Sequence, residues 1–353
     1  MVLLNSLISL AQQHIGADIK GPEHLQGDGS MRQIYRFRKN SNSWIGVISS
    51  NFVENQAFIF LSEHLKKCGI PVPEIYAADL EHGCYLLEDL GNLSLADLLS
   101  EWNNPDAVHT SLILQAYQKV LYWLPRIQVE AQQGLDYKFC YREKELNVAV
   151  FEWDINYFKE YFWKLFAVDY LLTDSIEDEL SQLICLLDRV ERKALVLRDF
   201  QSRNIMWKRD EPYFIDYQMG CRGPIHYDLA SLLYASRSGL NDALRPLLIE
   251  AYLMELKPWI QMSQNQFLND FYNFVLIRRL RSLGSYGFLS SQNQKLYFLD
   301  AVPTTIMEIH DLFDNQPSLR QYKNLKELFY KWREDENLSN TSSLYAKIKA
   351  SCE

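Results

Sequence analysis

Asp199 and Asn204 lie five residues apart in the stretch Val196-Leu197-Arg198-Asp199-Phe200-Gln201-Ser202-Arg203-Asn204. Asp216 follows twelve residues after the asparagine, behind the apolar run Tyr213-Phe214-Ile215. Phosphoryl transfer asks a protein for such a set: a carboxylate facing the incoming hydroxyl, an amide oxygen on magnesium, and a charged metal anchor. Asp199 is the candidate base or hydroxyl-orienting group, which would accept the acceptor's proton as the phosphoryl group arrives. Asn204 and Asp216 are the candidate Mg2+ ligands, because magnesium takes hard oxygen donors and completes its shell with water and phosphate. Taken singly, either acid reads as a turn or capping residue. The three together, in this order, point to ATP-dependent phosphotransfer.

These residues need elements to hold them. Gly27-Asp28-Gly29-Ser30-Met31-Arg32 is a turn signal. Either it is an ordinary hairpin turn, or the backbone at Gly27 and Gly29, the Ser30 hydroxyl and the Arg32 guanidinium face nucleotide phosphates. After it, residues 34–38 alternate apolar and basic as a strand does, and residues 43–49 form another short β-like run. Apolar residues at Ala57, Phe58, Leu61 and Leu65 predict a helix over 54–67, ended by Gly69-Ile70-Pro71-Val72-Pro73. Residues 85–87 read as a buried strand leading into Glu88-Asp89-Leu90-Gly91.

Beyond residue 92 the pattern becomes mainly helical, with apolar faces over 112–124, 158–166 and 180–187. The polar segment 334–341 reads as a loop before a final helix. The expected class is therefore α+β, with residues 1–90 as a small β-rich lobe and residues 91–353 as a larger, mainly helical lobe. Asp228 opens a helix, where the dipole favours an acid; its carboxylate could also brace the backbone of the catalytic loop.

Bulk properties narrow the setting. A chain of 353 residues can fold as two lobes, each with its own core. The formal net charge of −9 argues against nonspecific binding to nucleic acid or anionic membranes. The six cysteines contain no Cys-x-x-Cys pair, so reduced thiols in the cytosol are expected rather than a disulfide scaffold or zinc site. The N-terminal segment reads as a short amphipathic helix and not as a signal peptide, and no run is long enough to span a bilayer. A cytoplasmic location is expected.

The chain resembles the aminoglycoside phosphotransferase/choline kinase superfamily, and within it the bacterial anomeric kinases of N-acetylmuramate and N-acetylglucosamine. The likeness rests on Gly27-Asp28-Gly29-Ser30, Ile70-Pro71-Val72-Pro73, Leu86-Leu87-Glu88-Asp89-Leu90-Gly91, Arg198-Asp199-Phe200-Gln201-Ser202-Arg203-Asn204 and Ile215-Asp216-Tyr217-Gln218. It continues through Gly223-Pro224-Ile225-His226-Tyr227-Asp228-Leu229-Ala230-Ser231-Leu232-Leu233 and Arg278-Arg279-Leu280-Arg281-Ser282-Leu283-Gly284. The resemblance implies a protein-kinase-like bilobal fold with ATP and Mg2+ as cofactors. It places adenine on the hinge backbone from Glu88 to Leu90, and a small-molecule sugar acceptor near Asp199 and Arg203. The product would be a sugar 1-phosphate, made for cell-wall sugar recycling or nucleotide-sugar supply.

Two positions depart from the kinase pattern. Leu197 stands where the catalytic loop usually has a structural histidine, and Trp44-Ile45-Gly46-Val47-Ile48-Ser49 carries no lysine for the nucleotide phosphates. Arg32, Arg36 or Arg38 could supply that charge, and the role of Glu54, the lysine's ordinary partner, stays open. An acidic sugar would want a bidentate arginine, for which Arg203, Arg222 and Arg278 are candidates. Aromatics over 151–158 either stack on a pyranose or pack the helical lobe. Other small alcohols such as choline or an aminoglycoside, and a nucleotide-binding pseudokinase module, are the alternative readings.

Overall fold

The computed structural model describes residues 2–25, 32–102, 107–236 and 238–351; the expected phosphate turn at Gly27, Gly29 and Ser30 lies outside the described residues. The chain forms two compact units. One comprises Met1–Glu145, Ala194–Arg222 and Arg237–Trp259, and the other Leu146–Lys193, Gly223–Ser236 and Ile260–Glu353.

The first unit is built on five strands: β1 (Lys20–Leu25), β2 (Gln33–Lys39), β3 (Asn42–Ile48), β4 (Ile75–Asp79) and β5 (Cys84–Glu88). They form one sheet in the order β1-β2-β3-β5-β4, with every neighbouring pair antiparallel. The expected strands over 34–38, 43–49 and 85–87 fall in β2, β3 and β5. β1 gave no strand signal because it is a mostly exposed edge containing Pro22, and its register against β2 shifts between Lys20 and Glu23. Proline has no ladder donor and is tolerated only at such edges and bulges.

One sheet face is covered by α1 (Val2–Ile15), whose Leu7 and Ala11 are fully buried one helical turn apart. They join Phe37, Ile48, Ala77, Cys84 and Leu86 in one apolar core. Gly46 makes that approach possible: a Cβ there would lie 2.9 Å from the Leu7 methyls and 2.7 Å from Phe37. α2 (Phe52–Lys67) begins two residues before the expected start. Its N-cap Asn51 accepts the Glu54 N–H at 3.1 Å, and Gly69, at φ +76°, follows its end.

The second unit is helical. Its longest helix, Gln264–Ser291, runs against residues 148–163 at two glycines. A Cβ on Gly287 would sit 1.7 Å from the Tyr161 carbonyl oxygen, and one on Gly284 2.8 Å from the Tyr157 ring. The helix expected over 158–166 is interrupted at this contact by a π-helical turn, Lys159–Trp163. Residues 334–341 are not all loop either: Asp335 caps a single helical turn, Glu336–Ser339, by accepting the Asn337 N–H at 2.8 Å. The final helix Thr341–Ser351 follows as expected. The class is α+β, a small N-terminal sheet region followed by a larger helical part. Among the described residues no helix is long and apolar enough to cross a membrane.

Candidate active site

The catalytic-loop residues follow β6 (Ala194–Val196), all three residues of which are buried. Leu197 is 2% exposed and so fills core where the kinase pattern has histidine, while Phe200 stacks on Phe214 at 5.4 Å. Between these apolar anchors the backbone doubles back: Arg198 takes φ +70° and the Asp199 N–H donates to the Leu197 carbonyl at 2.9 Å. Two buried side chains thus pin the loop and leave Asp199 half-buried at its turn. Asn204 ends the 3-10 turn Ser202–Asn204, and its side-chain nitrogen donates to the Asp199 carbonyl at 2.8 Å.

A hairpin explains the twelve-residue spacing. β7 (Ile205–Lys208) and β8 (Glu211–Phe214) pair antiparallel with Ile205 opposite Phe214. The residues flanking the hairpin's open end therefore meet, and the Ile215 N–H donates to the Asn204 carbonyl at 3.0 Å. Asn204 Nδ2 lies 3.4 Å from Asp216 Oδ2. At the closed end Arg209 and Asp210 have φ of 54° and 63°, the two left-handed residues that a type I′ turn requires. Neither is glycine. Lys119 donates to the Asp210 carbonyl at 2.5 Å and pairs with its carboxylate, which holds that carboxyl below its ordinary range.

Asp216 itself sits at φ +62° with its carboxylate 40% exposed. A left-handed non-glycine residue costs energy and is kept where the surroundings over-determine it, often at functional sites. Here Gln218 donates to Asp216 Oδ1 at 2.9 Å, and the Phe214 N–H to the Pro71 carbonyl at 2.8 Å. With Asn204 Nδ2 committed to Asp199, the amide's acceptor oxygen is the atom left for a cation. Among the described residues no group of three or more His, Cys, Asp or Glu gathers to hold a metal. One amide oxygen and one partly exposed carboxylate fit Mg2+, which draws its remaining ligands from phosphate and water.

Arg32, which leads into β2, donates through Nη2 to Glu54 Oε1 at 2.7 Å and brings Nη1 to 3.9 Å from Asp216 Oδ1. Arg36 makes a bidentate pair with Asp89, at 2.6 and 3.0 Å, and reaches the Gly91 carbonyl at 3.3 Å. Burial pushes the Asp89 carboxyl up. Hydrogen bonds from Arg36, Ser43 and the Gly91 N–H outweigh it and hold the group below the usual range. The Glu88 carboxylate is taken by Lys208 Nζ at 2.7 Å, which also donates to the Asp89 carbonyl at 3.1 Å. The Glu88 backbone N–H donates to the Glu74 carbonyl at 2.8 Å, and Leu90, two residues on, is buried. Lys208 and Gln218 were not foreseen. Lys208 stands 120 positions from Glu88, with no local signal linking them; Gln218 follows Asp216 by two residues and could have been suspected as its holder.

The remaining candidates separate. Arg203 is exposed and makes no ion pair among the described residues, and Arg222 is exposed over the Tyr137 ring at 4.7 Å. In the helical unit Asp228 is fully buried in the first turn of His226–Leu233, and Arg278 donates to the Tyr227 hydroxyl at 2.9 Å. Of the aromatics over 151–158, Phe151 and Phe158 are core, whereas Trp153 is 46% exposed and stacks on Tyr157 at 4.9 Å. Arg281 lies over both of those rings and pairs with buried Asp154 at 3.1 Å.

An N-acetylmuramate/N-acetylglucosamine kinase from Pseudomonas putida is 24% identical over 306 residues, 83% of this chain and 84% of that protein. A solved choline/ethanolamine kinase family protein from Mesorhizobium loti superposes with a TM-score of 0.60 at 12% identity, over 93% of this chain and 100% of that one. An amicoumacin kinase solved with AMP-PNP and Ca2+ gives a TM-score of 0.53 at 14% identity, over 90% and 89% of the two chains. The structural likenesses establish the fold as that of the small-molecule kinases. The sequence pattern of the phosphotransferase enzyme family matches residues 38–262, which takes in Glu54, Glu88, Leu90, Asp199, Asn204 and Asp216, and the chain belongs to that family.

Proposed function

We propose that this enzyme is an ATP- and Mg2+-dependent kinase that phosphorylates the anomeric hydroxyl of an amino sugar of the N-acetylmuramate/N-acetylglucosamine type, giving a sugar 1-phosphate and ADP. The observation that carries the chemistry is the junction at the open end of the β7–β8 hairpin. There Asn204 ties the Asp199 backbone at 2.8 Å while facing Asp216. The substrate class is supported by the name of the Pseudomonas putida relative, which aligns over most of both chains.

In this reading Asp199 takes or orients the proton of the sugar hydroxyl, and its half-buried position keeps the carboxylate within reach of a substrate. When bound, Mg2+ supplies the charge that neutralises the nucleotide phosphates, and Asn204 and Asp216 are the residues that would hold it. Exposed Arg203, four residues after Asp199, is free to face an anionic group on the transferring phosphate or the acceptor. The Glu88–Leu90 backbone docks adenine, and the turn with Gly27, Gly29 and Ser30 covers the phosphates together with Arg32. Residues 1–90 thus serve the nucleotide, and residues 91–353 supply the catalytic loop and acceptor recognition. Buried Asp228 has a structural part. The setting is the cytoplasm, in the recycling or supply of cell-wall sugars.

The test is turnover with MgATP and separate pools of N-acetylmuramate, N-acetylglucosamine, other hexoses, choline and kanamycin, read by phosphorus NMR. An anomeric phosphate doublet in a sugar pool is expected, and Asp199→Asn should lower its rate roughly 10²- to 10⁴-fold in a folded protein. Phosphocholine or phosphokanamycin alone would transfer the assignment to another acceptor. Absence of any acceptor-dependent product would overturn the amino-sugar kinase reading.

A further inference from the structure

We propose that Arg32, aimed by Glu54, does the work of the lysine that the third strand lacks: it supplies the fixed positive charge to the nucleotide's phosphates from a neighbouring position. This rests on the ATP reading above and adds to it the residue pair on which phosphate affinity depends.

The argument begins with an absence in sequence. β3 reads Asn-Ser-Trp-Ile-Gly-Val-Ile, with no basic residue. β2 pairs with it antiparallel, with Gln33 opposite Ile48. Continuing that register by one residue sets Arg32 across from Ser49, beside the end of the strand that would have carried the lysine. The cation absent from β3 is thus matched by one immediately before the adjoining strand.

Geometry then selects among the three arginines of this stretch. Arg38 lies 3.4 Å from Glu23 of the edge strand β1, with both side chains more than half exposed. Arg36 is 5% exposed and turned away to Asp89 and the Gly91 carbonyl, which take its Nε and Nη2. Among the described residues Arg32 alone pairs with both the first-turn acid of α2 and the candidate metal ligand. Its guanidinium lies over the Phe58 ring at 5.7 Å, and Phe58 in turn stacks on Tyr85 and on Tyr217 at 5.3 and 5.2 Å. A buried aromatic floor therefore limits where the fork can go, and the Asn51 cap fixes the helix start that presents Glu54.

The chemistry suits phosphate. Guanidinium is charged at every working pH and offers several donors in one plane, so it can keep Glu54 on one nitrogen while facing an oxyanion with another. The 3.9 Å gap to Asp216 is longer than a hydrogen bond, so this contact is an ion pair without a shared proton. A lysine ammonium would hold the same charge as a single point and lacks that fork.

The test is equilibrium binding of adenosine, MgADP and MgATP to the full-length protein and to Arg32→Ala, Arg32→Lys and Glu54→Gln, each checked for a native melting profile. A charge-assisted contact to phosphate is worth roughly 10- to 100-fold. Arg32→Ala should lose that much affinity for MgADP and MgATP while binding adenosine as the parent does. Arg32→Lys should recover part of the loss, and Glu54→Gln should weaken the same two ligands by a smaller factor. If Arg32→Ala lost adenosine equally, the residue would be structural and the inference wrong; unchanged MgATP affinity would also overturn it. If Arg32→Ala does not fold, Arg32→Lys and Glu54→Gln decide on the same contrast between adenosine and its phosphates. A parent protein that binds none of the three ligands would defeat the ATP reading itself.

Discussion

Arg36 and Arg32 belong to one stretch of chain, four residues apart, both are largely buried and each reaches a carboxylate, yet the carboxylates differ in how they are held and how far water reaches them. Arg36 and Asp89 are 5% and 4% exposed, joined by two short bonds, with a third bond from the arginine to the Gly91 carbonyl. Arg32 gives Glu54 one bond at 2.7 Å, and its second neighbour, Asp216, is 40% exposed. The first pair is closed: both side chains are buried, Nε and Nη2 of the arginine are taken, and it ties the backbone after β5. The second is open toward a carboxylate that water, a cation or a phosphate can reach. Arginine–carboxylate pairs four residues apart thus serve shape in one place and, in the reading proposed above, chemistry in the other, and what separates them is how far water reaches the carboxylates beside them.

The comparison breaks most visibly if the closed pair is opened. Arg36→Ala leaves Asp89 buried without its counter-charge, and removing one partner of a buried pair costs about 3–5 kcal/mol. Urea or thermal unfolding should show a loss of that order, while Arg32→Ala, next to better solvated acids, should lose distinctly less stability. Equal losses in the two variants would erase the distinction between a closed and an open arginine.

Acid sharpens it further. Asp89 has its folded-state pKa depressed below 3.8, so its contribution is complete above that value and is lost only as pH falls through the lower folded value. His226 titrates over a different window. It is 1% exposed, stacks on Phe267 and Phe274 at 4.5 and 5.4 Å, and has no hydrogen bond to either ring nitrogen among the described residues. Burial pushes its imidazole down to about 3. Its folded pKa lies below the ordinary 6.5, so stability is full above pH 6.5 and declines as pH falls from there toward 3. The loss by pH 4 should be on the order of a few kcal/mol. His226→Phe should flatten the stability profile between pH 6.5 and 4.5, where Asp89 remains ionised and the Arg36 pair intact. A profile that kept its slope in His226→Phe would assign the acid sensitivity to other groups.

What the sequence made legible follows the same division. Asp199, Asn204 and Asp216 could be read because a hairpin converts a fixed spacing into a contact, and their order survives in one dimension. β2 and β3 could be read from their local runs of strand-forming residues, and α2 from apolar residues at helical spacing. The β7–β8 turn could not, since Arg209 and Asp210 adopt left-handed backbone without the glycine that normally announces it. β1 was hidden by its exposure and its proline, and the π turn at Lys159–Trp163 by depending on glycines more than a hundred residues later. Most telling, three arginines were equivalent as letters. Only the partners assigned by the fold, Glu54, Asp89 and Glu23, distinguish them.

Arg38 supplies the lower bound of the series. It leaves the same strand as Arg36, two residues on, and meets Glu23 at 3.4 Å with the two side chains 53% and 56% exposed. Water screens both charges, and holding two long side chains together costs rotamer entropy, so exposed pairs contribute about 0–1 kcal/mol. Arg38→Ala should change stability by no more than roughly 0.5 kcal/mol, and that small change should shrink further in high salt. Its MgATP affinity should match the parent's, since among the described residues no contact joins this guanidinium to Glu54 or Asp216. A nucleotide defect in Arg38→Ala comparable to that of Arg32→Ala would mean that total positive charge on the strand, and not the aimed fork, governs binding. A salt-resistant loss of stability would mean that the edge pair is buried by something the chain meets in solution.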